Sequence, residues 1–579
     1  MSLIWLGVFI FLLSAEKTIC QSPNLELEVN ELVYAGMAAR GIPTVSLAVV
    51  HNGTVVLTKG YGVKDIITKS CVDADTVFGI ASLTKAFTNA VLTKMLRNSS
   101  VYDLSSTIKT ILGQNTTFNS TLLSNFATLK DLMVHAMGIP RNNFMRLDNE
   151  LTRENLMARL QYLPSTKEFR GSFVYSDLMY GLLTHITEVL HFFKNLLRWH
   201  ISISTLLWED IVASEIFQPL DMANSTFMTR VNFSSPNVAA PYYVDKNKQA
   251  TLIDADFLRV YSSNGGSGAI MSTANDMGKY LQFLVNGGKN QEGKQVVETS
   301  ELQAAFAPLA ALPLSSQQYP IAKPVTPVTM STDNYGLGWR RGYYRGYKMI
   351  QHTGSTHGYN SMITILPHSG SAVYTALSGY DGGYSFRASL HCAILDLLLH
   401  ETPWINSTTI ASFPSPWVRA ARRKRNTLNV VNNEEKDGYI AKKLAEEAED
   451  GVWCDNILNM SLISFTGNYF HGAYGKANIT LDLAANKLKM FYGIGKWNLS
   501  YTGSDLEFNA DWLGQPPSYD IQLKFLAKEN VYGFECLDCD PKYVPTFYRH
   551  QYVSSSSNNN NNNAYIFVVV IFFIGFINL

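Results

Sequence analysis

Phe78-Gly79-Ile80-Ala81-Ser82-Leu83-Thr84-Lys85 opens a run that reads as helix from Ser82 to Arg97. Residues three apart share a helix face, so the Ser82 hydroxyl and the Lys85 ammonium are able to meet. A serine hydroxyl is a weak nucleophile and needs an adjacent base or a strong local field. The helix start adds a positive dipole end beneath it. A Ser-x-x-Lys spacing alone describes many solvated helix surfaces, and its weight here comes from two partners downstream. Tyr175-Ser176-Asp177 stands just before a helical run that continues through Met179, Leu182, Leu183 and Ile186. His352-Thr353-Gly354 ends a strand-like run and is followed by Ser355-Thr356-His357-Gly358.

The surrounding pattern sets the fold class. Residues 24–41 read as an amphipathic helix. Val45 to Val50 and Thr54 to Lys59 are β-rich and joined through His51-Asn52-Gly53, a hairpin signal. Helical stretches follow near 176–190, 206–216 and 273–286, strands return at 348–353, 359–366 and 370–378, and 387–400 reads as a helix packing back on them. Strands early and late with helices between exclude alternating βαβ. They imply an α+β unit, an antiparallel sheet covered by helices with a helical subdomain, whose first and last segments meet.

Three motifs in this order resemble the active-site-serine family of serine β-lactamases and penicillin-binding peptidases, nearest the branch with Tyr-x-Asn as its second motif. The handful of further similarities runs over residues 28–400: Leu129 to Pro140, Ile216 to Met222, Gly265-Gly266 and Tyr335 to Trp339. The resemblance implies that Ser82 attacks an amide, ester or lactam carbonyl, and that Lys85 and Tyr175 share its proton. It implies that the backbone N–H groups of Ser82 and Ser355 form an oxyanion hole, and that Asp177, His352, Thr353 and Gly354 bind substrate, with His352 and Thr353 holding a substrate carboxylate. No metal or cofactor is implied.

Two positions depart from the branch. Asp177 stands where relatives often carry Asn. An ionised carboxylate only accepts hydrogen bonds, and beside Lys85 it favours the ammonium, making a poorer base. His352 replaces a common Lys. Mostly neutral near pH 7, it makes anionic-substrate binding improve as pH falls. A serine hydrolase is therefore the expected function, and a surface recognition protein on the same fold with impaired chemistry is the alternative.

The chain has 579 residues, zero formal net charge and 46% hydrophobic residues, so neither a nucleic-acid partner nor disorder is indicated. Residues 1–20 read as a signal peptide built on the apolar run Leu3 to Leu13, and 24–400 as the hydrolase domain. Residues 401–460 read as a linker with the basic cluster Arg422-Arg423-Lys424-Arg425, either a solvated patch or a furin-like processing site. Residues 461–552 form a small barrel-like β domain, whose opening Thr466 to Gly475 resembles a unit appended to such enzymes. Residues 553–579 pair small and polar residues with an uncharged apolar tail, a GPI-attachment signal or a tail anchor. Asn-x-Ser/Thr triplets at Asn52, Asn98, Asn115, Asn119, Asn224, Asn232, Asn406, Asn459, Asn478 and Asn498 agree with a secretory route. The expected location is the external membrane face, with a small molecule or peptide as substrate. Cys536 and Cys539 are half a zinc site at best, and Cys454 pairing with either would close a loop around the second unit. Gly265-Gly266-Ser267-Gly268-Ala269 reads as a turn leading into a helix rather than a second nucleophile elbow. His191 to Thr205 interrupts the helical pattern and leaves open whether it is an insertion.

Overall fold

The computed structural model describes residues 25–549, apart from 98, 198–205, 246, 314–321, 325, 382, 414–459 and 515–518. The expected signal segment, the basic cluster, Cys454 and the C-terminal tail lie outside the described residues.

The hairpin is the first element to place. β1 (Thr44–His51) turns into β2 (Thr54–Gly62) through Asn52 and Gly53, both at positive φ (48° and 73°), the backbone that a two-residue hairpin turn requires. β1 then pairs with the last strand of the catalytic unit, β8 (Ser371–Ser378). Between them in sequence come β3 (Ala310–Ala311), β4 (Met330–Tyr335), β5 (Arg340–Tyr344), β6 (Tyr347–Thr356) and β7 (Tyr359–Leu366). The sheet runs β2-β1-β8-β7-β6-β5-β4-β3, every pair antiparallel. First and last segments do meet, as the pattern implied.

Side chains of β1 alternate between two cores. Val45, Leu47 and Val49 face α1 (Leu25–Arg40) and α5 (Ser385–Leu398), packing with Val29, Leu32, Phe386 and Leu390. Ala48 and Val50 belong to the larger core, which holds Met277, Tyr280 and Leu281 of α4 (Ala274–Val285). That period of two is what sheet geometry dictates for a strand buried on both faces. The larger core continues through the helical subdomain around α2 (Thr84–Leu96) and α3 (Asp177–Leu197) and on into the second unit. α3 continues the helix through the first half of the stretch from His191, so the irregularity expected there is absent up to Leu197.

The linker boundary needs correcting. Ser407–Ser412 is a short helix seated on α1, and Arg40 donates from Nη2 to the carbonyls of Ile410 (3.0 Å) and Phe413 (3.2 Å). Residues 401–413 therefore belong to the catalytic unit.

The second unit is a closed up-and-down barrel: β9 (Gly467–His471), β10 (Gly475–Asp482), β11 (Lys487–Tyr492), β12 (Gly495–Tyr501), β13 (Glu507–Trp512), β14 (Ile521–Ala527), β15 (Val531–Cys536) and β16 (Thr546–Tyr548). Closure removes the open edges that a small sheet would otherwise expose. Its interior is aromatic, with Phe465, Tyr469, Phe508, Phe525 and Phe534 in mutual ring contact. Cys536 and Cys539 pair with each other, which replaces both the half-zinc-site reading and a bridge to Cys454. Cys71 and Cys392 are free thiols.

The barrel is docked on the catalytic unit. Asn142 N–H donates to Asp540 Oδ2 (2.7 Å), Tyr474 Oη donates to Asn142 Oδ1 (2.7 Å), and Ile494 N–H donates to the Leu147 carbonyl (2.9 Å). Phe144 stacks on Tyr492 at 5.0 Å. Asp540 is 2% exposed, so removing its carboxylate strands a buried backbone N–H. Asp540→Ala is expected to cost ~1–3 kcal/mol, read as an earlier chemical-denaturation transition of the barrel fluorescence. An unchanged midpoint would show that the seam adds nothing to stability.

Candidate active site

Ser82 lies in a 3₁₀ turn, Ala81–Leu83, between the short strand Phe78–Gly79 and α2. Ala81 sits at φ 46°, a left-handed conformation that a residue with a Cβ adopts only at a cost. Neighbouring strands hold it there. Ile80 N–H donates to the Ile270 carbonyl (3.0 Å), and Ser361 Oγ of β7 donates to the Ile80 carbonyl (2.6 Å). The turn leaves Ser82 partly exposed while Ala81 and Leu83 are buried.

Lys85 is one helical turn on and fully buried. Its Nζ donates to Ser82 Oγ (3.2 Å), Asp177 Oδ1 (2.7 Å) and the Ser267 carbonyl (2.7 Å), which engages all three ammonium protons. The Tyr175 and Tyr180 rings lie 4.8 and 5.3 Å from the same nitrogen. The Gly265–Ser267 segment is a 3₁₀ turn leading through the short strand Ile270–Ser272 into α4. It serves the site through a main-chain oxygen, not a nucleophilic hydroxyl.

Tyr175-Ser176-Asp177 is aimed by the turn before α3. Ser176 N–H donates to His135 Nδ1 (3.2 Å) and its Oγ donates to the Pro140 carbonyl (3.1 Å). The His135 ring lies 4.3 Å from that of Tyr175. His135 is a positioning residue the motif reading missed; its only sequence signal was a histidine inside the Leu129–Pro140 segment.

The third motif closes the site from the sheet. Ser355, near the end of β6, is exposed. Gly354 beside it cannot carry a side chain: a Cβ would lie 2.4 Å from the Ile80 carbonyl oxygen and 2.2 Å from Ser361 Oγ. That close approach brings β6 against the Ser82 turn. Arg387 of α5, buried and paired with Asp381 (Nε to Oδ2, 2.7 Å), donates to the Gly354 carbonyl (2.9 Å) and to that of Ser361. This pair fixes the strand that presents the Ser355 N–H, and no motif pointed to it.

Charge is distributed unevenly. Burial works against the Lys85 ammonium, but the Asp177 carboxylate and Tyr175 outweigh it and raise its pKa. Burial likewise works against the Asp177 anion, and Lys85 followed by Arg146 holds it well below the usual carboxylate range. Burial raises the Tyr175 phenol, partly offset by Lys85. The resting state is thus an ammonium–carboxylate pair beside a neutral phenol and a neutral serine.

His352 departs from expectation. It is 2% exposed, with Nε2 bonded to Tyr335 Oη (3.0 Å) and Nδ1 to the Thr353 carbonyl (2.8 Å). Burial, then Arg340 and Lys85, push its pKa well below 6.5. A neutral, enclosed ring with both nitrogens engaged does not hold a substrate carboxylate, and Thr353 beside it is buried as well, at 6%. Among the described residues no group of three or more His, Cys, Asp or Glu has metal-holding geometry.

The beta-lactamase family model matches residues 29–388. Gigasin-6 of Magallana gigas is 31% identical over 271 residues, covering 46% of this chain and 85% of that protein. The unguisins hydrolase ungD of Aspergillus violaceofuscus is 23% identical over 486 residues, 81% of this chain and 78% of its own length. The octameric penicillin-binding protein homologue of Pyrococcus abyssi superposes with a TM-score of 0.53 at 17% identity, over 90% of this chain and 99% of that one, and shares the fold.

Two outcomes follow from the charges. A lysine that must lose its proton before accepting one from serine makes kcat/KM climb toward alkaline pH. Asp177→Asn removes the anion that raises the Lys85 pKa, so the climb moves to lower pH by about one unit or more; an unmoved profile would refute the coupling. Because His352 stays neutral, KM for a carboxylate substrate is expected to be flat from pH 5 to 8. A KM that falls with pH over that range would restore the protonated-histidine role.

Proposed function

The chain belongs to the beta-lactamase family, a family of hydrolases, and from that premise we propose that it is a serine hydrolase working through an acyl-enzyme on Ser82. The observation that carries this reading is the reachable Ser82 hydroxyl 3.2 Å from the buried Lys85 Nζ, with Tyr175 against the same amine.

In this reading Lys85 first gives up its extra proton to bulk water, the step that alkaline pH favours. The neutral amine keeps two N–H bonds, to Asp177 and to the Ser267 carbonyl, and turns its lone pair to Ser82. Ser82 Oγ bonds to the carbonyl carbon, whose C=O π pair moves onto oxygen, while the hydroxyl proton passes to the neutral Lys85 amine. The tetrahedral oxyanion is met by the backbone N–H groups of Ser82 and Ser355, typically a large contribution to such reactions. As the bond from carbon to the departing nitrogen or oxygen breaks, the Tyr175 phenol gives that atom its proton and takes one from the Lys85 ammonium. Water repeats the sequence and frees the acid. Asp177 makes the first step harder by favouring the ammonium, so esters, with the better leaving group, are expected to be turned over faster than amides.

The name of the Aspergillus relative supplies hydrolysis as the chemistry, not the compound. A binding module on the same fold is the second reading, favoured by the same Lys85–Asp177 pair, which opposes base catalysis. The glycosylation triplets and apolar end segments support an external, membrane-attached location for either.

A fluorophosphonate probe separates the two readings. The full chain is expected to be labelled covalently at Ser82, and Ser82→Ala to lose all label. Inert wild-type protein, folded by circular dichroism, would favour the binding module.

A further inference from the structure

The barrel reaches the second motif through one residue, Asn142. Its backbone is left-handed, φ 45° and ψ 39°, a region that asparagine enters more readily than most residues with a Cβ. It is fully buried at the seam, and both ends of its amide are engaged. Nδ2 donates to the Pro140 carbonyl (3.0 Å), and Oδ1 accepts from Tyr474 Oη of the barrel (2.7 Å). Its backbone N–H donates to Asp540 Oδ2, also of the barrel (2.7 Å). Both barrel partners are themselves held. Tyr492 Oη donates to the Tyr474 carbonyl (2.7 Å), and Lys542 N–H donates to Asp540 Oδ1 (2.8 Å). A separate seam contact, between Tyr519 Oη and His357 Nε2 (2.7 Å), reaches the flank of the third motif.

The Pro140 carbonyl is a shared acceptor. Ser176 Oγ, from the middle of Tyr175-Ser176-Asp177, donates to the same oxygen (3.1 Å) and is fully buried. Two donors on one carbonyl use both of its lone pairs. Between Pro140 and Asn142, Arg141 lays its guanidinium carbon 5.2 Å from the Tyr175 ring centre. The three residues therefore touch the second motif at one end and the barrel at the other. Without the Tyr474 hydroxyl, Asn142 Oδ1 is left buried with no donor, a costly state. The amide relieves it only by turning, and Nδ2 then leaves the Pro140 carbonyl. A phenol that must deliver a proton loses efficiency when its anchor shifts by even a fraction of an ångström.

Resting on the hydrolase reading above, we propose that Tyr474 and Asp540 of the barrel are positioning residues for Tyr175, acting through Asn142 and the Pro140 carbonyl. The barrel then governs proton delivery to the leaving group. Ser82 and Lys85 are held within the catalytic unit, by their mutual hydrogen bond and by the Ser267 carbonyl. A lesion at the seam therefore spares attack on the carbonyl and slows departure of those groups that need a proton to leave.

Ethyl phenylacetate and para-nitrophenyl phenylacetate share an acyl group and differ in that need: ethoxide must be protonated to leave, and nitrophenolate leaves without a proton. Their kcat/KM values report the acylation step. In the full chain, Tyr474→Phe keeps the ring and removes only the hydroxyl. It is expected to lower kcat/KM about tenfold on the ethyl ester and less than about threefold on the nitrophenyl ester. Asp540→Ala should show the same bias. Phe508→Leu, in the barrel interior away from Tyr474, should weaken the barrel and affect both esters alike. Unchanged activity in Tyr474→Phe, or an equal loss on both esters, would overturn the proposal. A 3-fluorotyrosine at position 175 of the full chain gives a readout without turnover, and it decides alone if wild type turns over neither ester. Its fluorine resonance is expected to shift on Tyr474→Phe and to stay in place on Phe508→Leu. A resonance unmoved by Tyr474→Phe, or moved equally by both changes, overturns the proposal. A resonance that shifts as expected, in a chain that fluorophosphonate does not label, would count against the hydrolase reading alone.

Discussion

A lysine nitrogen with no access to water governs the architecture of this site. Lys85 is fully buried, and an isolated ammonium there would cost roughly several kcal/mol after relaxation. It is tolerated because three oxygens from three distant segments converge on it: Ser82 from the nucleophile turn, Asp177 from the start of α3, and the Ser267 carbonyl from the turn before α4. Those segments must reach native positions together, so the fold of the helical subdomain and the setting of the Ser82 hydroxyl are one problem. The same contacts create a tension. The carboxylate that makes the buried charge affordable also ties down the proton that catalysis must move.

Much of the architecture was legible because it is written in local period and turn chemistry. The hairpin through Asn52-Gly53, the strands from β6 to β8, and the helices that became α1, α2, α4 and α5 follow from two- and 3.6-residue repeats. The all-β character of residues 461–552 was equally visible, while its closure depends on β16 reaching β9, a pairing of Tyr548 with Phe470 that no local pattern encodes. The linker was drawn too early because Ser407–Ser412 is short and polar, and only its seat on α1 makes it part of the first unit. The cysteine arithmetic failed because pairing is decided by proximity, and Cys536 and Cys539 flank a single turn with Cα atoms 5.5 Å apart.

The site was legible where chemistry depends on residue type, and opaque where it depends on enclosure. Ser82 and Lys85 were marked by spacing and Tyr175 and Asp177 by the resemblance, and the structure brings the four side chains together. His352 was given a substrate contact from its motif position, yet its accessibility is set by Tyr335 and the surrounding sheet. Ser267 acts through a carbonyl, which side-chain patterns do not reveal. Arg387 acts through the backbone of β6 from a helix that looked like plain core, held by Asp381 in the turn before that helix. Asn142 lay just past a segment noted for its resemblance and carried no signal of its own, since its partners include residues of a domain hundreds of residues away.

The seam between the units also imposes an order in time. Ser82 and Tyr519 are 437 positions apart, and at ~5–20 residues per second a ribosome needs roughly 20–90 s to travel from one to the other. Throughout that interval the Ser82 turn has been made, but the barrel residue Tyr519, whose hydroxyl bonds His357 beside the third motif, has not. The barrel is thus made after all three of the segments that meet at Lys85.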